Sequence, residues 1–282
     1  MASISPILQI ELMFSKLTAP NIFPSAGTLS EALNDLVDET SGATGHVDGK
    51  IASYFASAGV EMWHRAIHSF LVSASITNTS PLWSSVAGYY SSHYSMRAFA
   101  HTLGFFHLYG KGKSIELDLS GRYVCHISNK LARDGEHKFY WKVLKKHPFF
   151  LNDPFFTIND FNLDESDSGH RNKANYFDHL NNFPHFEVLD EEFLKQRFNT
   201  MARTVVNDAP MPSKANYPDI DKVQLIAYYR LVKFKIFLDE ILGANTNRFW
   251  AHHRRPNWCP AFVNFQIANP EHIAAYREFV TS

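Results

Sequence analysis

The chain has 282 residues, of which 45% are hydrophobic and 15% aromatic, so it has ample material for a core and is not globally disordered. Lysine and arginine number 27 against 28 aspartate and glutamate. This balance excludes nonspecific wrapping of duplex DNA by the chain as a whole. Two cysteines exclude a disulfide scaffold, and we expect Cys125 and Cys259 to be buried free thiols.

Targeting and cofactor motifs are lacking in the sequence. The N-terminal residues have no basic region before an apolar core, and no apolar run approaches the roughly 18 residues that span a bilayer. We therefore expect a cytoplasmic protein without a membrane partner. No P-loop, dinucleotide fingerprint, nucleophile elbow or zinc-protease motif occurs, so we expect no cofactor and no bound metal.

The first fifty residues are typical of an N-terminal extension, which we assign to residues 1–50. They combine an apolar stretch at 7–17, a predicted helix at 29–37 and a turn-rich segment at 40–49.

Two helices are predicted next along the chain. Apolar residues recur at spacings of three and four over 59–76, as on one face of a helix. Ser80 and Pro81 then provide a helix start, because serine caps the backbone and proline tolerates the first helical position. With Gly110 as the stop, they predict a long helix that ends near residue 109.

The remainder of the chain is predicted to be mainly helical. Alternation between Ile115 and Ile127 favours two short strands or a loop. Further helices are predicted at 136–146, at 170–180 behind a serine cap, at 190–206 from helical spacing, and at 221–242, which is apolar on most faces. We therefore predict a mostly α-helical bundle over 51–243, with a few short strands, and a C-terminal appendage over 244–282.

Two segments resemble one known family. Tyr89 to Gly104 reads Tyr-Tyr-Ser-Ser-His-Tyr-Ser-Met-Arg-Ala-Phe-Ala-His-Thr-Leu-Gly. It resembles the signature helix of small HEPN domains, in which paired tyrosines precede a small-residue stretch, leucines and a glycine. Downstream, Arg171-Asn172-Lys-Ala-Asn-Tyr176 is similar to the Arg-x-x-Ala-Asp/Asn-Tyr segment of many HEPN members.

The resemblance covers roughly 59–243 and implies a HEPN-like helical bundle that binds RNA. Active HEPN members cleave RNA without a metal at a site shared by a homodimer, with an arginine followed at a short interval by a histidine. The resemblance therefore implies an endoribonuclease of a toxin, stress or antiviral-defence system. The candidate catalytic residues are Arg171, Asn172, Tyr176 and His179.

The histidine position departs from the family pattern. Four residues separate Arg171 from Tyr176, where the family has histidine, and seven separate it from His179. Tyrosine, with a pKa near 10, is a poor base, and losing a general acid or base costs about 10²–10⁴-fold in rate. Either His179, on the same helical face as Arg171, replaces the missing group, or the chain is a noncatalytic scaffold that binds a partner protein.

Two further groups of residues are candidates for nucleic-acid contact. Tyr90, His93 and Arg97 lie beside the apolar stripe of the predicted helix and either face RNA or are satisfied structural groups, which is the commoner outcome. The tail combines aromatic residues with Arg248, Arg254 and Arg255, a mixture that binds single strands or forms a solvated loop.

A third interpretation is a metal-dependent bundle enzyme. Glu61, His64 and His68 lie one helical turn apart and resemble half of a di-metal site. A complete site needs a second such motif and two more carboxylates, so we favour histidines that face solvent or a partner.

Overall fold

The computed structural model describes residues 6–18, 26–77, 80–121, 123–129, 135–150 and 219–245. The helices in these ranges are α1 (Pro6–Ser15), α2 (Ala26–Glu39), α3 (Gly49–Ser75), α4 (Pro81–Thr102), α5 (Gly135–Lys145) and α6 (Asp219–Leu242). The strands are β1 (Thr44–His46), β2 (Phe105–Leu108), β3 (Lys113–Leu117) and β4 (Val124–Ser128). The predicted fold class, mostly α with a few short strands, is confirmed.

The chain divides into two compact units, and the division crosses three helices. The first unit contains α1, α2, the sheet, α5, α3 up to Trp63, α4 from Met96 and α6 from Ile236. The second contains α3 from His64, α4 up to Ser95 and α6 up to Lys235. The predicted boundary after residue 50 falls within the first turn of α3.

The sheet lies in the first unit and is antiparallel throughout, with strand order β1-β4-β3-β2. Leu117 pairs with Cys125 on the buried face, whereas Glu116 pairs with His126 on the exposed face. The alternation between Ile115 and Ile127 left two short strands or a loop as alternatives, and the structure has strands there. Burial raises the pKa of the Cys125 thiol to about 12, so it remains a protonated free thiol as expected.

Helix α4 ends at Thr102, so the prediction that it continues to residue 109 was wrong. Gly104 adopts φ 87°, a conformation that ends a helix and that glycine adopts without strain. A Cβ at this position would lie 3.0 Å from the backbone oxygen of Leu117. The close approach of β3 therefore ends the helix at the first glycine, and the apolar residues that follow form β2.

Helix α3 begins at Gly49, ten residues before the predicted start. Asp48 supplies the cap, because its Oδ1 accepts a hydrogen bond of 2.7 Å from the backbone N–H of Ile51. In the first unit, α3 then comes close to α4 at Gly59. A Cβ at Gly59 would collide with Thr102 Oγ1 and lie 3.0 Å from the backbone oxygen of Ala98.

A buried hydroxyl cluster joins three helices within the second unit. The Ser73 and Ser84 hydroxyls each donate to the other residue's carbonyl oxygen at 2.6 Å, and Thr77 donates to the Ser73 carbonyl at 3.0 Å. Gln224 Nε2, from α6, lies 2.8–3.0 Å from all three hydroxyl oxygens. Because the three hydroxyl protons are already donated to carbonyl oxygens, the hydroxyl oxygens can only accept further hydrogen bonds. The side-chain amide of Gln224 donates those bonds.

Replacing Gly59 by alanine tests the close approach in the first unit. We expect the Gly59→Ala free energy of unfolding to fall by about 1–2 kcal/mol, because overpacking outweighs the gain in helix propensity. Urea denaturation measures the change. Gly110→Ala is the matched control, since no atom lies within 4 Å of the added Cβ there. Equal or greater stability of Gly59→Ala would contradict the close packing.

Substitution of Gln224 tests the hydroxyl cluster. We expect Gln224→Leu to lower the free energy of unfolding by about 1–3 kcal/mol through lost hydrogen bonds. Gln224→Glu should lower the free energy of unfolding further at neutral pH, because an ionised carboxylate cannot donate a hydrogen bond. Burial also disfavours its charge and so raises the pKa of the introduced carboxyl group. The folded variant then binds more protons than the unfolded one, so its stability falls as pH rises above about 4.3. Urea denaturation at several pH values that showed no such trend would count against the cluster.

Candidate functional site

The four candidate catalytic residues, Arg171, Asn172, Tyr176 and His179, lie outside the described residues. The same holds for the candidate tail residues Arg248, Arg254 and Arg255. Their roles stay predictions from the sequence. The structure places the other candidates, which come from α3 and α4.

Tyr90 and His93 belong to an aromatic cluster on the α4 segment of the second unit. His93 is 2% exposed and stacks on Tyr89, with ring centroids 6.2 Å apart and planes 9° apart. Tyr90 is half-buried and contacts the rings of Tyr89 and Tyr94 at 5.4 and 6.1 Å. The buried imidazole of His93 has little surface to offer to RNA, whereas Tyr90 keeps part of its side chain exposed.

Arg97 contributes to the first unit and is half-buried. Its guanidinium carbon lies 5.3 Å from the centroid of the Tyr140 ring, which comes from α5. A cation over an aromatic face is attracted by the ring quadrupole, and such a contact is worth about 0.5–2 kcal/mol depending on desolvation. Arg97 therefore helps to join α4 to α5.

His101 lies one turn beyond Arg97 and is fully buried. Its Nδ1 is 3.0 Å from the backbone oxygen of Phe105, so Nδ1 carries the ring proton and donates a hydrogen bond to that oxygen. Nε2 is then an acceptor, buried and without a hydrogen-bond partner among the described residues. The ring stacks on Phe106 at 4.8 Å and meets the Tyr140 ring edge-on at 5.3 Å.

The environment of His101 keeps it neutral. Burial, reinforced by the positive charge of Arg97, lowers its pKa to about 3, whereas the hydrogen bond to Phe105 raises it slightly. A group with so low a pKa is neither a useful base nor a proton donor at neutral pH. Arg97 and His101 also have only three residues between them, which departs from the family spacing. The pair therefore does not supply acid–base chemistry.

The sequence did not indicate the partners of this cluster. Tyr140 contacts Arg97 and His101, and its hydroxyl accepts a hydrogen bond of 3.3 Å from the backbone N–H of His107. The helix that carries Tyr140 was predicted from its periodicity. Nothing in that pattern identifies which residues of α4 meet the Tyr140 ring, because Arg97 and His101 are far from Tyr140 along the chain.

The structure gives no support to a metal site at Glu61, His64 and His68. Glu61 Oε2 accepts a hydrogen bond of 2.5 Å from the backbone N–H of Ala26, the first residue of α2. A carboxylate at a helix N-terminus satisfies an unpaired donor and complements the helix dipole. Within the described ranges, no group of three or more histidine, cysteine, aspartate or glutamate residues could hold a metal ion.

Comparisons with known proteins give no match. No family model, curated protein or solved structure is significantly similar to the chain. Among the described helices, none is both long enough and apolar enough to cross a bilayer.

Replacing His101 by phenylalanine tests its neutral state. The folded pKa of His101 lies below its unfolded value of 6.5, so its contribution to stability is full above pH 6.5 and falls towards pH 3. The loss is about 1.4 kcal/mol per pH unit. We expect His101→Phe to remove this dependence from urea denaturation curves measured between about pH 7 and pH 5.

The matched control is His126→Phe, which replaces an exposed histidine on β4. Identical pH dependence of the parent and the His101→Phe variant would show that the imidazole is not held neutral by its surroundings.

Proposed function

We propose that the chain is a HEPN-like RNA-binding protein that cleaves RNA without a metal ion. The observation that carries this proposal is the arrangement of the segment that resembles the HEPN signature. That segment lies on α4 and ends at Gly104, which has a positive φ. It packs closely against Gly59 of α3, the helix before it. A helix pair of this kind is what the resemblance implies.

Arg171 is the phosphate-facing residue of the proposed site. The ribose 2′-oxygen attacks the adjacent phosphorus while the bond to the 5′-oxygen breaks, which leaves a cyclic phosphate and a free 5′-hydroxyl. The guanidinium stabilises the charge on the phosphoryl oxygens, because it stays protonated and offers a planar fork of donors. His179 donates a proton to the departing 5′-oxygen, and the proton of the 2′-hydroxyl passes to solvent.

The state of His101 supports assigning acid–base chemistry to His179. His101, one turn beyond Arg97 on α4, is buried and neutral, so it is unsuited to proton transfer. Asn172 and Tyr176 complete the proposed site as hydrogen-bond donors, since neither titrates near neutral pH. In the proposal the site is shared by a homodimer in the cytoplasm, within a toxin, stress or antiviral-defence system.

A second candidate function is a noncatalytic scaffold that binds a partner protein. Tyr176 favours it, because tyrosine occupies the position where the family pattern has histidine. Such a protein retains the helical bundle without turnover.

Incubation of the purified protein with RNA in EDTA tests the proposal. We expect fragments with cyclic-phosphate ends from the parent, a roughly 10²–10³-fold lower rate for Arg171→Ala, and a 10²–10⁴-fold lower rate for His179→Ala. Arg171→Lys distinguishes the planar fork from charge alone.

Arg65→Ala is the control, since Arg65 is exposed on α3. RNA that is bound but remains intact at high protein concentration would contradict cleavage and leave RNA binding standing. If RNA is neither bound nor cleaved, both forms of RNA engagement fail.

A further inference from the structure

The turn between β2 and β3 presents an exposed aromatic ring. Tyr109 is 78% exposed, and Gly110 and Gly112 follow it. Gly112 has φ 57°, which lets the chain turn back into β3 without strain. Nearly all the surface of Tyr109 is available, whereas most large aromatic side chains of this unit are buried. The exposed ring of Tyr109 is therefore accessible to a ligand.

Helix α5, in the same unit, carries lysines on its outward side. Lys138, Lys142 and Lys145 follow one another at spacings of four and three residues, so they share a face. Lys138 and Lys145 are exposed, and so is Lys146 immediately after the helix. The opposite side is buried at Phe139, Tyr140 and Leu144. The amphipathic helix is thus held to the core by aromatic rings and presents cations to solvent.

The His107 ring connects the turn to the helix. Its centroid lies 6.2 Å from that of Tyr109 and 5.1 Å from that of Phe139. Because Lys138 precedes Phe139 in α5, these two ring contacts place the Tyr109 turn beside the first half of that helix. At the other end of the helix, Lys145 Nζ lies 4.4 Å from the centroid of the Trp141 ring, a cation–π contact that orders the ammonium group.

The charge of this surface is locally positive although the chain carries a net charge of only −1. Helix α5 holds three lysines and one glutamate, and Lys146 adds a fourth cation. Lys111, in the turn, forms an ion pair with Asp38, and the two together add no net charge. Glu116, the acidic residue of β3, is exposed. We call Tyr109, Lys138, Lys145 and Lys146 the Tyr109–α5 surface.

We propose that the Tyr109–α5 surface binds single-stranded RNA, an inference that rests on the proposed function. The lysines contact phosphates, and an unpaired base stacks on the Tyr109 ring. Cations combined with an exposed aromatic ring recognise single strands, because bases in a duplex are already stacked on each other. The positive charge of the surface thus favours a polyanion, and the exposed Tyr109 ring favours a strand whose bases are unpaired.

The test measures binding of the full chain to a labelled 2′-O-methyl RNA of about 16 nucleotides. The methyl group blocks the attacking oxygen, so binding is separated from cleavage. We expect Tyr109→Ala to weaken binding about tenfold and Tyr109→Phe to bind like the parent, because stacking needs the ring and not the hydroxyl. The double variant Lys138→Gln with Lys145→Gln should reduce the slope of log affinity against log salt by about 1.4, or roughly 0.7 per lysine.

Two exposed residues outside this surface are matched controls. Trp83→Ala removes a ring that is 57% exposed, and Lys50→Gln removes an exposed lysine on α3. Neither control should change RNA affinity more than twofold, on the order of 0.4 kcal/mol. All the substituted side chains are exposed, so circular dichroism spectra should match the parent's.

The outcomes separate the surface from the proposed function. If the parent binds RNA and no variant of the Tyr109–α5 surface weakens that binding, the assignment of RNA binding to this surface is wrong. The proposed function then still stands. Absence of RNA binding by the parent would overturn both. Binding of vesicles of phosphatidylcholine and phosphatidylserine, without binding of the RNA, would assign the surface to a membrane and overturn the RNA assignment. Equal affinity for the single strand and its duplex would overturn the stacking role of Tyr109.

Discussion

The close approach of α3 and α4 is the constraint on which the rest of each unit depends. In the first unit it is set at Gly59, where any side chain would meet Thr102 and the backbone of Ala98. In the second, a Cβ at Gly88 would lie 3.1 Å from Ser73 Oγ. A glycine within a helix costs about 1 kcal/mol relative to alanine. The helices tolerate that cost because a larger residue would separate them and lose the packing around the contact.

Close packing by small residues also buries polar groups, and each burial has to be compensated. Ser73, Thr77 and Ser84 are compensated by carbonyl oxygens and by Gln224. His101 is accommodated differently, since it gives up its charge and donates one hydrogen bond. Both solutions follow from the same physics, because a buried polar group is costly unless it is hydrogen-bonded or neutral. The polar character of α4 is therefore not a sign of exposure.

Burial of the α4 histidines affects which residues are assigned to RNA binding. The polar residues of α4 look like a binding stripe in the sequence, yet His93 and His101 are buried and serve the packing of their own units. Exposed lysines share one face of α5 instead, and the opposite, apolar side of that helix is held by aromatic contacts. Phosphate binding by exposed lysines and transition-state stabilisation by Arg171 are separate tasks in the proposed function, and different residues carry them.

Local patterns in the sequence determined most of the described elements. Local sequence patterns predicted α2, α5 and α6, and alternation favoured either strands at β3 and β4 or a loop, because such signals arise from residues a few positions apart. Tertiary contacts decided the rest. The end of α4 at Gly104 depends on the approach of Leu117, and the cation–π contact of Arg97 depends on Tyr140 from another helix. The catalytic residues remain predictions from resemblance, whereas the neutral state of His101 follows from burial. Burial depends on which distant segments pack together, and no local spacing encodes that.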